Sequence, residues 1–270
     1  MNKLGNSASR YNLIVVEIFR RHHNPSDDRF IFQRSEIDEI ADALTVARVL
    51  NVGDLLYTFR FRQPLPISIS STAPEGYEWI IEAAGRGTYE FRCVTVCRIV
   101  PSPNLIKIKI PEATPEIVSR YALGDEQALL AKVRYNRLID IFLGITSFSL
   151  QSHLRTTVKR MGQIEIDELY VGIDRSGAHY VVPVQAKGGF DQIAVVQTRQ
   201  DIAFCLERYP DLVCRPVAAQ FMVDNVIALF ELALEGDNLA VVREKQFRLV
   251  PSSDLSSTDL KLYRQQSSGD

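Results

Sequence analysis

The segment 162–189, GQIEIDELYVGIDRSGAHYVVPVQAKGG, constrains this chain more than any other stretch of its sequence. Two apolar runs flank a tight turn, which predicts an antiparallel hairpin. Asp174-Arg175-Ser176-Gly177 opens on Asp and closes on Gly, the pattern of a type I turn followed by a left-handed residue. With Gly177 left-handed, the loop is three residues long and carries a G1 bulge. Asp174 then pairs with Ala178, and counting back sets Asp167 opposite Gln185 and Glu165 opposite Lys187. Side chains alternate with a period of two, so these four project from one face at one end of the hairpin. A two-residue loop would shift the register and separate them.

The same four groups interrupt strands that are otherwise apolar. Buried charge persists when it is paired, hydrogen-bonded or bound to metal. An Asp carboxylate with a second oxygen ligand suits Mg²⁺, a hard cation that keeps several waters and binds substrate phosphate. A lysine two residues along the same face can position or help deprotonate an attacking water, or stabilise charge on the phosphate. The competing reading is an ordinary exposed hairpin end with Lys187 paired to Glu165.

On these residues the segment resembles the PD-(D/E)xK nuclease superfamily, whose core is an acid on one strand and (D/E)-x-K on the next. Asp167 matches the first element and Gln185-Ala186-Lys187 the second, with Gln in place of the second acid. The resemblance extends over roughly residues 125–235. It implies an α/β (mixed α+β) fold, a restriction-endonuclease-like core with a central mixed β-sheet flanked by helices. It also implies a Mg²⁺-dependent DNA endonuclease, with Mn²⁺ able to substitute, that leaves 5′-phosphate and 3′-hydroxyl ends. Asp167 and Gln185 would bind the metal and Lys187 would act on the water. Some members use Gln at this strand position. Glu165, on the active face by the register above, could restore the missing charge, whereas Glu168 lies on the other face. A helix before the hairpin often supplies a further acid in this superfamily. Glu126 is that residue here, or else a first-turn Glu serving the helix dipole.

The type II restriction enzymes are the nearest functional analogy. A palindromic double-stranded DNA target would then imply a homodimer, and a DNA methyltransferase would be the genomic partner. A junction resolvase, a repair or transposition-linked nuclease, and a non-catalytic DNA-binding protein with a degenerate nuclease core are the alternatives.

Net charge is −2, so nucleic-acid binding must come from a local patch. Lys132, Arg134, Arg137, Arg155, Lys159 and Arg160 lie in a stretch whose one acid is Asp140. That pattern fits a phosphate-facing surface beside the hairpin, or equally a solvated helix face. Cys93, Cys97, Cys205 and Cys214 lack zinc-knuckle spacing, and four histidines form no ligand motif. Reduced thiols are the expectation. There is no phosphate-binding glycine loop, dinucleotide fingerprint or nucleophile elbow. No apolar run reaches a membrane span of about 18 residues, and MNKLGNSASR lacks a signal-peptide core. The expectation is a cytoplasmic protein with no membrane partner.

Three units are predicted: 1–113, 114–250 and a flexible tail, 251–270. The first reads as helix (10–23), helix (36–44, capped by Ser35), then strands at 55–62, 79–83, 89–99 and 104–110. This suggests a winged-helix-like module with a β-part for DNA recognition, Arg34 opening its second helix, or a dimerisation module. Tyr57, Arg60, Arg62, Arg86, Tyr89 and Arg92 offer groups for base edges. Pro111 and Pro115 bracket the boundary. Helices are expected at 116–121 and 125–145, the latter with apolar residues at 3.6-residue spacing. A short strand at 193–196, a helix at 197–209 and strands at 214–222 and 226–234 follow. Gln197 and Gln200 start that helix and could reach phosphate or water, although surface glutamines are commoner.

Overall fold

Helices and strands follow one another in mixed order along the chain, and the strands divide between two sheets. A computed structural model describes residues 4–96, 99–122, 126–159, 161–188, 195–236 and 238–266. Helix α1 (Leu4–His22) leads to β1 (Arg29–Gln33), α2 (Glu36–Ala43), α3 (Val52–Tyr57), a π-helical turn (Thr58–Arg62) and α4 (Ile67–Ser70). Strands β2 (Tyr77–Gly85) and β3 (Thr88–Thr95) then complete a three-stranded antiparallel sheet in the order β1-β3-β2. An aromatic cluster holds this unit: Phe19 meets Phe30, Trp79 and Phe91 edge-on at 5.2–5.4 Å between centroids. Such contacts add about 1 kcal/mol per pair beyond burial.

Several local expectations for this unit change. The strand expected at 55–62 is helical, because Val52, Leu55, Leu56 and Phe59 are all buried at i, i+3, i+4 and i+7. Ser35 does not cap α2: its own backbone is right-handed helical and its side chain makes no cap bond. Glu36 Oε1 instead accepts the Gln33 N–H at 2.6 Å. Arg92 pairs with Glu90 and Glu82 at 3.0 and 3.6 Å, so it does not present a free guanidinium.

The large sheet has eight strands. It is built from β4 (Lys107–Pro111), β5 (Thr146–Val158), β6 (Gly162–Ile173), β7 (His179–Lys187), β8 (Val213–Cys214), β9 (Val217–Phe221), β10 (Val226–Glu235) and β11 (Asn238–Val250). The order is β4-β11-β10-β9-β7-β6-β5, with β8 beside β7. Pairing is antiparallel except for β7 with β8, β7 with β9, and β4 with β11. The sheet is therefore mixed and helix-flanked, as expected. Strand β4 falls before the boundary read at Pro111–Pro115 yet belongs to this sheet. Strands β5 and β11 were not anticipated.

Helices α5 (Glu116–Tyr121), α6 (Glu126–Tyr135) and α7 (Leu138–Leu143) precede β5. The single helix expected over 125–145 breaks at Arg137, whose φ is +53°. Leu129, Leu130, Val133, Leu138 and Phe142 pack on Tyr170, Val182, Val184 and Ala186. Helix α8 (Val195–Arg208) covers the opposite face with Phe204 and Cys205 against Ile164, Ile166, Leu169 and Val181. Val195 and Val196, expected in a strand, open α8, and residues 193–194 lie outside the described residues. The tail, expected to be flexible, carries α9 (Ser257–Gln266). Ser256 and Asp259 exchange hydrogen bonds in a capping box, and Tyr263 Oη accepts the Lys109 N–H at 2.9 Å. Among the described residues no helix is long and apolar enough to cross a membrane.

Candidate active site

The turn sets the geometry. Gly177 has φ +84°, its N–H bonds to Asp174 O at 3.1 Å, and Asp174 N–H bonds to Ala178 O at 3.1 Å. The Asp174 carboxylate accepts the Ser176 hydroxyl, the Tyr180 hydroxyl and the N–H groups of Ser176 and Ala178 at 2.7–3.0 Å. Those donors, Ser176 first and then Tyr180, hold its carboxyl well below the usual range. The resulting ladder runs from Ile173 opposite His179 to Glu168 opposite Val184. One step further in this register, Asp167 falls opposite Gln185.

There the ladder stops. Asp167 Oδ2 accepts the Ala186 N–H at 2.9 Å, so a side chain takes over from a backbone rung. The pleat breaks at the same point. Ile166 and Leu169 both enter the apolar cluster under α8 although they are three residues apart, which a regular strand forbids. Across on β5, His153 lies between the pairs Ser152–Glu168 and Leu154–Ile166 and has φ +49°. Asp167 therefore sits at an irregularity that reverses the faces of the preceding residues. Beyond it β7 keeps its parallel pairing with β9, Gln185 opposite Ala218 and Lys187 opposite Gln220.

Glu165 and Lys187 lie beyond the last rung of this ladder, and both act on the charge of Asp167. The Glu165 carboxylate turns toward β5, where Arg155 lies at 3.2 Å and His153 at 3.5 Å. Lys187 Nζ instead contacts Glu126 Oε1 at 2.9 Å, at the start of α6. The fully buried Glu168 faces away, accepting from Arg134 at 2.8 Å and Ser149 at 2.6 Å.

The acid that joins the site was not anticipated. Asp201 of α8 is 1% exposed, and its Oδ2 accepts Gln185 Nε2 at 2.9 Å. Its signal lay in the helix period: Thr198, Asp201 and Cys205 form an i, i+3, i+7 buried stripe. Burial pushes the Asp201 carboxyl well above its ordinary value, the Gln185 bond opposes this, and the Asp167 charge adds to it. Asp167 is also raised, first by burial; the Ala186 N–H and Lys187 pull it down, while Glu126 and Glu165 push it up. Asp167, Gln185, Lys187, Glu126 and Asp201 thus share one electrostatic neighbourhood with more acid than base.

Gln185 is 2% exposed, and its Oε1 is buried with no hydrogen-bond partner among the described residues, as is Asp201 Oδ1. A buried carbonyl oxygen without a donor costs about 1–3 kcal/mol. An oxygen in that condition beside an Asp carboxylate fits a hard cation. Among the described residues no three His, Cys, Asp or Glu side chains form a metal-holding group by themselves, so Gln185 is needed in any ligand set here.

The basic stretch is largely neutralised. Lys132 bonds to Asn225 at 2.6 Å, Arg134 to Glu168, Arg137 to Asp140 and Arg155 to Glu165. Lys159 donates its backbone N–H to Glu207 at 3.3 Å, and Arg160 lies outside the described residues. Arg34 is exposed in the turn before α2, its N–H on Gly87 O at 2.8 Å. Gln197 Nε2 reaches the backbone oxygen of Glu165 at 3.4 Å, and Gln200 is buried. No protein-family model, curated protein or solved structure matches the chain.

Proposed function

We propose that this protein is a Mg²⁺-dependent DNA endonuclease with a restriction-endonuclease-like core. One observation carries the reading: the Gln185 carbonyl oxygen is buried and unpartnered in the same cluster as Asp167 and Lys187. Asp167 and Gln185 Oε1 would hold the metal, with Glu126 at the rim on Lys187. A bound Mg²⁺ supplies water activation near neutral pH and neutralises charge on the phosphate. Lys187, held by Glu126, orients the attacking water and donates to the developing phosphate charge. Asp167 is fixed by the Ala186 N–H, which keeps its carboxylate from rotating out of the cluster. The mixed, helix-flanked sheet supports this reading, since Asp167 and Gln185-Ala186-Lys187 lie on adjacent strands. We assign double-stranded DNA as substrate, its recognition to the N-terminal unit and Arg34, and a homodimer as the acting form.

The test is incubation of supercoiled plasmid with Mg²⁺ and, separately, Mn²⁺. Wild-type protein is expected to cut, and Lys187→Ala to lose about 10²-fold or more in rate with DNA binding retained in gel shift. Cutting by Lys187→Ala at the wild-type rate removes Lys187 from the mechanism. Intact plasmid under both ions contradicts the nuclease reading.

A further inference from the structure

Gln185 poses a charge problem. A hard divalent cation is held most strongly by carboxylate oxygens, and Gln185 brings only a neutral carbonyl. It is nevertheless wrapped in protein, 2% exposed, with its two ends in different situations. Nε2 is bonded to Asp201 Oδ2 at 2.9 Å, and Oε1 has no partner among the described residues. An ionised Asp201, the form that a nearby cation favours, accepts and cannot donate, so turning the amide over would set oxygen against oxygen. The Asp201 carboxylate thereby selects one orientation of the amide. It faces the amide end and leaves the carbonyl end turned away from it.

We propose that Asp201 is the positioning residue of this site. It holds Gln185 with its carbonyl oxygen presented to the cation and places, one hydrogen bond behind that ligand, the negative charge the ligand lacks. This rests on the reading of Asp167 and Gln185 as metal ligands. Two features support a built arrangement. Asp201 is 1% exposed on a helix anchored by Phe204 and Cys205 in the apolar layer, so its carboxylate cannot swing to solvent. Its neighbour Arg199 is itself fixed, 2.8 Å from the buried Glu82 of β2, which pins this part of α8 from the other side. Groups behind a metal ligand that set its orientation typically alter affinity 10- to 100-fold when removed.

The arrangement makes an exchange experiment possible. Gln185→Glu alone sets two carboxylates at hydrogen-bonding distance. Gln185→Glu with Asp201→Asn reverses the ends of the same bond, the Asn amide now donating to a Glu carboxylate, at nearly unchanged volume and total charge. Mn²⁺ affinity by titration calorimetry and the thermal midpoint of the metal-free protein are the two readouts. Asp201→Asn is expected to weaken Mn²⁺ binding about 10-fold or more without lowering the midpoint, a combination that a merely structural role does not produce. Gln185→Glu alone is expected to lower the midpoint. The double variant is expected to recover Mn²⁺ affinity to within about threefold of wild type or better, a non-additive rescue.

If wild type binds Mn²⁺ and Asp201→Asn binds it equally well, the positioning role is wrong and the site reading stands. Additive losses in the double variant overturn the role in the same way. Should either single variant fail to fold, wild type against the double variant decides, and a tenfold loss there overturns the role. Wild-type protein that binds no Mn²⁺ overturns the site reading, and this role with it.

Discussion

Two groups of buried acid, one on the large sheet and one between that sheet and α8, have opposite electrostatic fates. Glu231 on β10 is 8% exposed and has both oxygens occupied, by Arg215 at 2.6 Å and Arg243 at 2.7 Å. Arg215 also donates to Leu143 O and lies over the Tyr180 ring, and Arg243 lies over Phe142. Burial pushes the Glu231 carboxyl up, but the two guanidiniums outweigh it and hold the group below its ordinary value. Asp167 and Asp201 are as deeply buried, yet both are raised, first by burial itself; Glu126 and Glu165 add to Asp167 and Asp167 adds to Asp201, against Lys187 and the Ala186 and Gln185 hydrogen bonds. Burial of a carboxylate therefore does not mark a functional site. What separates the two is balance: one acid is matched and saturated, whereas the other cluster carries surplus acid and oxygens without donors.

Breaking the matched group has the largest effect on stability. Glu231→Gln leaves two partly buried guanidiniums without their counter-charge and is expected to cost about 3 kcal/mol, read as a loss in denaturant midpoint. Because the folded-state value of Glu231 is depressed, its contribution is present above the unfolded carboxylate value, about 4.3. It fades as pH falls through the folded value. The wild-type advantage over Glu231→Gln should shrink in acid.

The surplus-acid cluster should respond with the opposite sign. Asp167→Asn keeps an acceptor for the Ala186 N–H and removes a desolvated charge, so it is expected to stabilise the metal-free protein by on the order of 1 kcal/mol at neutral pH. For a raised carboxyl the contribution to stability is complete below the unfolded value, about 3.9, and is lost as pH rises through the folded one. The gain from Asp167→Asn should therefore vanish as pH falls. A loss of stability at neutral pH would make Asp167 an ordinary structural acid, like Glu231. Gly177→Ala has the smallest effect: the added Cβ meets open space but is strained by φ +84°, at about 1 kcal/mol. Thermal unfolding should record that loss, with the Glu231 pH profile unchanged.

How much of this was legible in the sequence follows from the range of the forces involved. The turn was readable because Asp174 and Gly177 solve a problem confined to a few residues, and the register of β6 against β7 followed from it. Helical segments such as 125–145 were readable from apolar periodicity, whereas the mixed sheet was expected only from the resemblance that Asp167 and Gln185-Ala186-Lys187 carry. The break at Asp167 was not readable, since it depends on the left-handed His153 of the neighbouring strand. Counting the register through that break paired Glu165 with Lys187, beyond the point where the observed ladder ends. Asp201 was missed because its partner lies 16 residues away on a different element, a pairing that no local propensity sets. The segment 55–62 misled because a short apolar run fits a strand or a helix equally well. Strand β4 pairs with β11 over more than a hundred residues of intervening chain, a contact that local pattern does not encode.

The most direct measurement is Mn²⁺ titration calorimetry on wild-type protein beside Asp167→Asn, with folding of both verified by thermal unfolding. Wild type is expected to bind Mn²⁺ through Asp167 and the Gln185 carbonyl, and the variant to lose that binding. Equal binding by a folded Asp167→Asn, or no binding by wild type, would contradict a metal site at the end of this hairpin.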